Sequence, residues 1–95
     1  MYKRQDYKEA VKWYRLAAEQ GNAKAQGNLG TMYVYGRGVI EDIVLAHMWW
    51  NIAASKGLDQ GKTNRDLIVK EMTASQIEEA QRLARQCVKN NYKGC

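Results

Sequence analysis

The sequence predicts an all-α protein, an alpha-alpha superhelix built as a short solenoid of stacked helix pairs. Three observations predict it. Ala10, Trp13, Ala17, Ala18 and Gly21 recur 36 positions later as Ala46, Trp49, Ala53, Ala54 and Gly57. Tyr14 returns as Trp50 and Leu16 as Ile52, so ring and aliphatic character follow the same period. Within each copy the apolar residues fall at helical spacing, and a period of this size marks helix-pair repeats.

The first helix is expected over about 6–20, with Asp6 capping its start. Ala10, Trp13, Leu16, Ala17 and Gln20 share roughly one face, with Tyr14 on its edge. Gly21 ends the helix and Asn22 suits the turn that follows. The second helix covers 23–35, with Ala25, Gln26, Leu29, Met32 and Tyr33 inward. Gly27 and Gly30 each weaken an isolated helix by about 1 kcal/mol relative to alanine. Their compensation is close approach of a neighbouring helix, where a Cβ would collide. Gly36-Arg37-Gly38 looks superficially like a phosphate loop, but no strand precedes it and no Lys-Ser/Thr follows. It reads as a helix terminus and tight reversal.

The third helix, about 41–56, repeats the first. Glu41 and Asp42 favour its start, Lys56 its end and Gly57 its stop. Ala46, Trp49, Ile52 and Ala53 form the inner stripe, Trp50 flanks it, and His47 lies beside it as a surface or edge residue. At the same offset Gly61, Arg65, Asp66 and Val69 stand where Ala25, Leu29, Gly30 and Tyr33 stood. Arginine and aspartate cannot replace apolar packing residues without burying charge. The repeat-bearing region is therefore 6–57, and 58–95 is a carboxyl-terminal cap, the two forming one domain over 1–95. A shorter helix over about 62–71 is carried by Leu67, Ile68 and Met72. The last has the clearest start: Thr73 and Gln76 form a capping box, with Met72 and Ile77 as the hydrophobic staple. Ile77, Ala80, Leu83, Ala84, Cys87 and Val88 continue one face to about Lys89, and Asn90, Asn91 and Gly94 form an irregular tail.

Composition narrows the function classes. The hydrophobic fraction of 45%, without low-complexity stretches, argues for a folded chain. The net charge of +5 is spread: six basic and three acidic residues lie in 1–24, eight and five from Lys56 onward. A nucleic-acid surface would concentrate that excess, so no nucleic-acid partner is expected. No apolar run approaches 18 residues, so no membrane insertion is expected, and the first residues lack the apolar segment of a signal peptide. Cys87 and Cys95, with the single histidine distant in sequence, do not supply the four ligands of a structural zinc; a disulfide or two free thiols remain. No metal and no cofactor are expected.

No nucleophile–base or metal-ligating spacing is present, and the adjacent pairs Glu41-Asp42 and Glu78-Glu79 diverge on a helix. The sequence thus assigns no catalytic residue, although Tyr33, Tyr35, Asp42 and His47 could in principle assemble a distributed site. A peptide- or protein-binding face is the preferred reading. Its candidates are Tyr14, Tyr35, His47, Trp50 and Asn51, where aromatic groups give rigid contact area. Trp13 and Trp49 are expected to fill grooves between helices.

The repeated Ala-x-x-Trp-aromatic-x-x-Ala-Ala-x-x-Gly is joined by Ala25-Gln26-x-x-Leu29-Gly30-x-x-Tyr33-x-x-Gly-x-Gly-Val39-x-x-Asp42. Together they resemble the Sel1-like repeat family over 6–57. Asn64-Arg65-Asp66, Met72-Thr73 and Ala80-Gln81-x-Leu83-Ala84 look like the terminal cap of bacterial members. The resemblance implies a right-handed superhelix of antiparallel helix pairs that acts as a protein-binding scaffold. Some secreted members carry a disulfide between cysteines eight residues apart, the separation of Cys87 and Cys95. This implies the bond and suggests a periplasmic or secreted setting. Binding of a cell-wall or β-lactam-like ligand, or weak hydrolysis, is the alternative carried by that subgroup. Two departures stand out: Ile40 replaces a frequent loop proline, and the chain opens with the second helix of a pair. Tyr7, Val11, Trp13, Leu16 and their neighbours would then leave an apolar patch. Either a homodimer through the amino-terminal helix or a longer parent chain is expected to cover it.

Overall fold

A computed structural model describes residues 4–95, with side chains from Asp6 onward. Five α-helices follow one another: α1 (Arg4–Glu19), α2 (Ala23–Tyr35), α3 (Ile43–Ser55), α4 (Asp59–Ile68) and α5 (Ala74–Lys89). A 3-10 turn, Val69–Glu71, prolongs α4, and there is no strand among the described residues. The fold is the all-α helical superhelix that the period predicts.

Cross-contacts fix the directions. Gln26 Nε2 donates to the Ala18 carbonyl at 3.1 Å and Arg15 Nη2 to the Tyr33 hydroxyl at 2.8 Å, so α1 and α2 run antiparallel. The Asp42 amide donates to Tyr33 O at 2.9 Å, while Trp50 Nε1 donates to Gly27 O at 3.0 Å. Thus α2 and α3 are antiparallel as well. Their compensation for two helix-weakening glycines is visible. A Cβ on Gly30 would lie 2.5 Å from the Trp50 ring, and one on Gly27 would lie 2.8 Å from Leu58 Cδ2. The α2–α3 interface is the most extensive in the molecule. Trp49, Leu29, Met48 and Ile52, all on these two helices, are the largest fully buried apolar groups among the described residues. α4 then packs on α3 through Gly61, where a Cβ would meet the Trp50 carbonyl oxygen at 2.9 Å.

Helix boundaries follow their caps. Asn22 accepts from the Ala25 amide, Asp42 from Leu45, and Thr73 from Gln76, whose side chain returns to the Thr73 amide in a complete capping box. Gly36 ends α2 in the left-handed region at φ 64°.

Some expectations need correction. Asp6 lies inside the first turn of α1 instead of capping it, because the helix already includes Arg4. α3 begins after Glu41, since Asp42 takes the capping position. α4 starts three residues early, and Leu67 is exposed while Ile68 turns inward. Val88 is also exposed, on the outer edge of α5.

The largest correction concerns α1. Trp13 is 61% exposed and Leu16 49%, and Gln20 is exposed too. Val11 and Ala18 supply the buried side instead. The repeat counterparts Trp49 and Ile52 are each 1% exposed. The same motif is buried in α3 because α2, α4 and α5 all pack on it, whereas among the described helices α1 packs mainly on α2.

Past α5 the chain turns back, with Asn91 and Tyr92 at positive φ, and Cys95 is disulfide-bonded to Cys87. The Tyr92 ring receives the Lys56 ammonium at 4.9 Å and also lies against Gly21.

Candidate functional site

The five binding candidates do not form one surface. Trp50 is buried, with its ring against Gly30 and its N–H spent on Gly27. His47, expected at the surface or an edge, is only 2% exposed. Neither can present a side chain to a partner while α2, α3 and α4 remain packed. Tyr14 is half-buried on α1. Asn51 is half-buried and accepts a hydrogen bond from Arg65 Nη1 at 2.9 Å.

His47 and Asn51 are one helical turn apart on α3, facing Arg65 and Asp66 of α4. Burial lowers the His47 pKa below its ordinary value; the Arg65 cation adds to this and Asp66 opposes it. The imidazole Nδ1 is buried without a hydrogen-bond partner. A neutral ring held in this way is part of the α3–α4 packing. Arg65 replaces the inward Leu29 of the previous pair by reaching sideways to Asn51 and Asp66, the latter at 3.1 Å.

Tyr35 differs from the other candidates. It closes α2, is 63% exposed, and stands beside an open cleft between α1 and the α2–α3 loop. Tyr7, Lys8, Arg37, Val39 and Ile40 line this cleft of about 570 Å³. The Arg37 guanidinium lies 4.7 Å from the Tyr35 ring centre and 5.5 Å from that of Tyr7. Ile40, in the loop position noted for its missing proline, is 90% exposed. The loop backbone is fixed: the Arg37 amide donates to Met32 O at 2.9 Å, and a Cβ on Gly38 would meet the Tyr7 carbonyl oxygen at 2.5 Å. The cleft therefore offers two rings, two cations and exposed aliphatic surface on a hydrogen-bonded loop.

Sequence reasoning missed Arg37, Tyr7 and Ile40 as site residues. Arg37 carried a local signal, a cation between glycines with Tyr35 and Val39-Ile40 on either side. Tyr7 carried none, since only the approach of α1 to the loop brings it there. No group of three or more His, Cys, Asp or Glu among the described residues is arranged to hold a metal ion. No described helix is long and apolar enough to cross a membrane.

Comparison with known proteins gives consistent matches. The Sel1 repeat model matches residues 2–22 and 23–58. The chain is 36% identical over 61 residues to an exopolysaccharide production negative regulator of Rhizobium meliloti (strain 1021), covering 64% of this chain and 23% of that protein. It is 53% identical over 34 residues to an uncharacterised protein of Neisseria meningitidis serogroup B, covering 36% and 7%. Its fold is similar to the crystal structure of a protective antigen present in uropathogenic Escherichia coli strains displaying an SLR fold. There the TM-score is 0.83 and the identity 35%, over 90% of this chain and 20% of the antigen. The chain thus spans less than a quarter of each of these relatives.

Proposed function

The chain belongs to the Sel1 repeat family, and from that premise we propose that it is a protein- or peptide-binding scaffold whose contact surface is the cleft between α1 and the α2–α3 loop. One observation carries this reading: Tyr35 and Ile40 are the most exposed large apolar groups flanking a cleft, and the loop between them is held by the Arg37 amide on Met32 O and by Gly38 against Tyr7. Such groups give contact area at little entropic cost. We assign no catalytic residue, and residues 58–95 serve as the cap of the repeat array.

The test is site-specific photo-crosslinking in the source cell. A benzophenone side chain at Ile40 should yield a discrete protein adduct, and one at Glu78 on α5 should not. Tyr35→Ser should remove the adduct while leaving the helical circular dichroism unchanged. Equal adducts from both positions would count against the cleft.

A second reading is supported by α1. Trp13 and Leu16 expose on this helix what Trp49 and Ile52 bury on α3, and a homodimer through the amino-terminal helix would cover them.

A further inference from the structure

We propose that Arg37 is a carboxylate receptor, and that the cleft takes an acidic polypeptide segment in which a Glu or Asp side chain stands beside an apolar one. This rests on the scaffold reading and names the chemistry of its ligand. Three other arginines are already engaged, Arg15 with the Tyr33 hydroxyl, Arg65 with Asn51 and Asp66, and Arg82 with Glu79, while Arg85 stands exposed on α5 away from the cleft. Arg37 is placed differently. The rings of Tyr35 and Tyr7 hold its guanidinium, and no hydrogen bond or ion pair with a described residue uses its donors. Ring contact of this kind uses the positive charge and not the N–H donors, which can then form two parallel bonds to one carboxylate. The side chain has already lost much of its rotational freedom, so less is lost on binding.

The charge balance selects the ligand. Among the described residues, Lys8 is the second cation on the cleft lining, which carries no carboxylate. Glu41 packs against Gly36 at the end of the same loop, however. Among the described residues, two cations with one carboxylate nearby suit a singly charged carboxylate better than a dianionic phosphoryl group. A phosphate site would collect more cations or a row of backbone amides at a helix start. Val39 and Ile40, on the other side of Arg37, supply the apolar half of the recognition.

The experiment uses the full chain on an array of immobilised degenerate octapeptides whose two central residues are Glu-Leu, Gln-Leu, Lys-Leu or phosphoserine-Leu. Retention on the Glu set should exceed that on the Gln and Lys sets by about fivefold or more. Arg37→Ala should lower the Glu set to the Gln level. Arg37→Lys should restore only part, because an ammonium lacks the two-pronged donor geometry. Ile40→Ser should lower the Glu and Gln sets together. Melting curves of each variant verify that the fold is kept, and Arg37→Lys retains the charge should Arg37→Ala unfold. Equal retention of Glu and Gln, indifference to Arg37→Ala, Arg37-dependent preference for phosphoserine, or no retention on the Glu set would each overturn the proposal. Equal retention that Tyr35→Ser abolishes would overturn the carboxylate receptor alone and leave the scaffold standing. Loss of the Ile40 photo-adduct distinction would remove the scaffold reading itself.

Discussion

Trp50 fills the space that Gly30 leaves empty: the indole stands where a Cβ would have to be, at 2.5 Å from its position. Gly30→Ala should therefore destabilise, although alanine is the better helix former. The propensity gain is about 1 kcal/mol, and displacing a buried indole that is also hydrogen-bonded to Gly27 should cost about 2–4 kcal/mol. Chemical denaturation should show a lower midpoint. An unchanged or raised midpoint would mean that Trp50 can move aside at no cost.

The Cys87–Cys95 bond closes a short loop at the end of the chain. Its removal in Cys87→Ser/Cys95→Ser should cost about 2–3 kcal/mol by the chain-entropy estimate. Protein prepared under oxidising conditions should resist alkylation unless reduced. Two thiols alkylated without reduction, read by intact mass, would contradict the pairing.

His47 gives the fold a pH dependence. Its pKa in the folded chain lies below the unfolded value of about 6.5. Below that value the unfolded chain takes up a proton that the buried ring refuses, so stability is lost as pH falls through 6.5 toward the folded pKa. Melting temperature should decline between about pH 7.5 and 5, and the decline should be shallower in His47→Gln, whatever that variant's absolute stability. Equal slopes in both proteins would show that other groups set the dependence.

The exposed sector of α1 should drive self-association. Light scattering across a concentration series should report a mass that rises toward twice the monomer, and Trp13→Glu should hold it at the monomer. A monomeric parent protein at high concentration would show that this face is tolerated in water.

Trp13 and Trp49 show how far the sequence could be read. Both occupy the same place in the same motif, and both helices form over the stretches that the spacing marks. Exposure depends on how many neighbours a helix has, and a motif that describes one helix carries no count of its neighbours. Trp50 was half legible, since Gly27 and Gly30 announced a close approach without naming the ring that makes it. His47 looked peripheral because its distance from the stripe was judged against a helix covered on one side, and α4 closes the other. The cleft was the least legible part. Arg37 meets Tyr7 across thirty positions through a loop that conforms to α1, and no local pattern records that meeting.

The tail has a consequence for how the molecule comes apart. In a linear array each layer touches only the next, so the ends can melt independently of the middle. Here Tyr92 meets Lys56 from the α3–α4 turn and Gly21 from the α1–α2 turn, so a single ring bridges three successive layers. The disulfide keeps that ring beside α5. Fraying from the carboxyl-terminal end must then break contacts that reach back to the first turn of the array. Amide hydrogen exchange in α5 should accordingly rise toward the global opening rate in the oxidised protein, and separate from it into a faster, local opening once the bond is reduced.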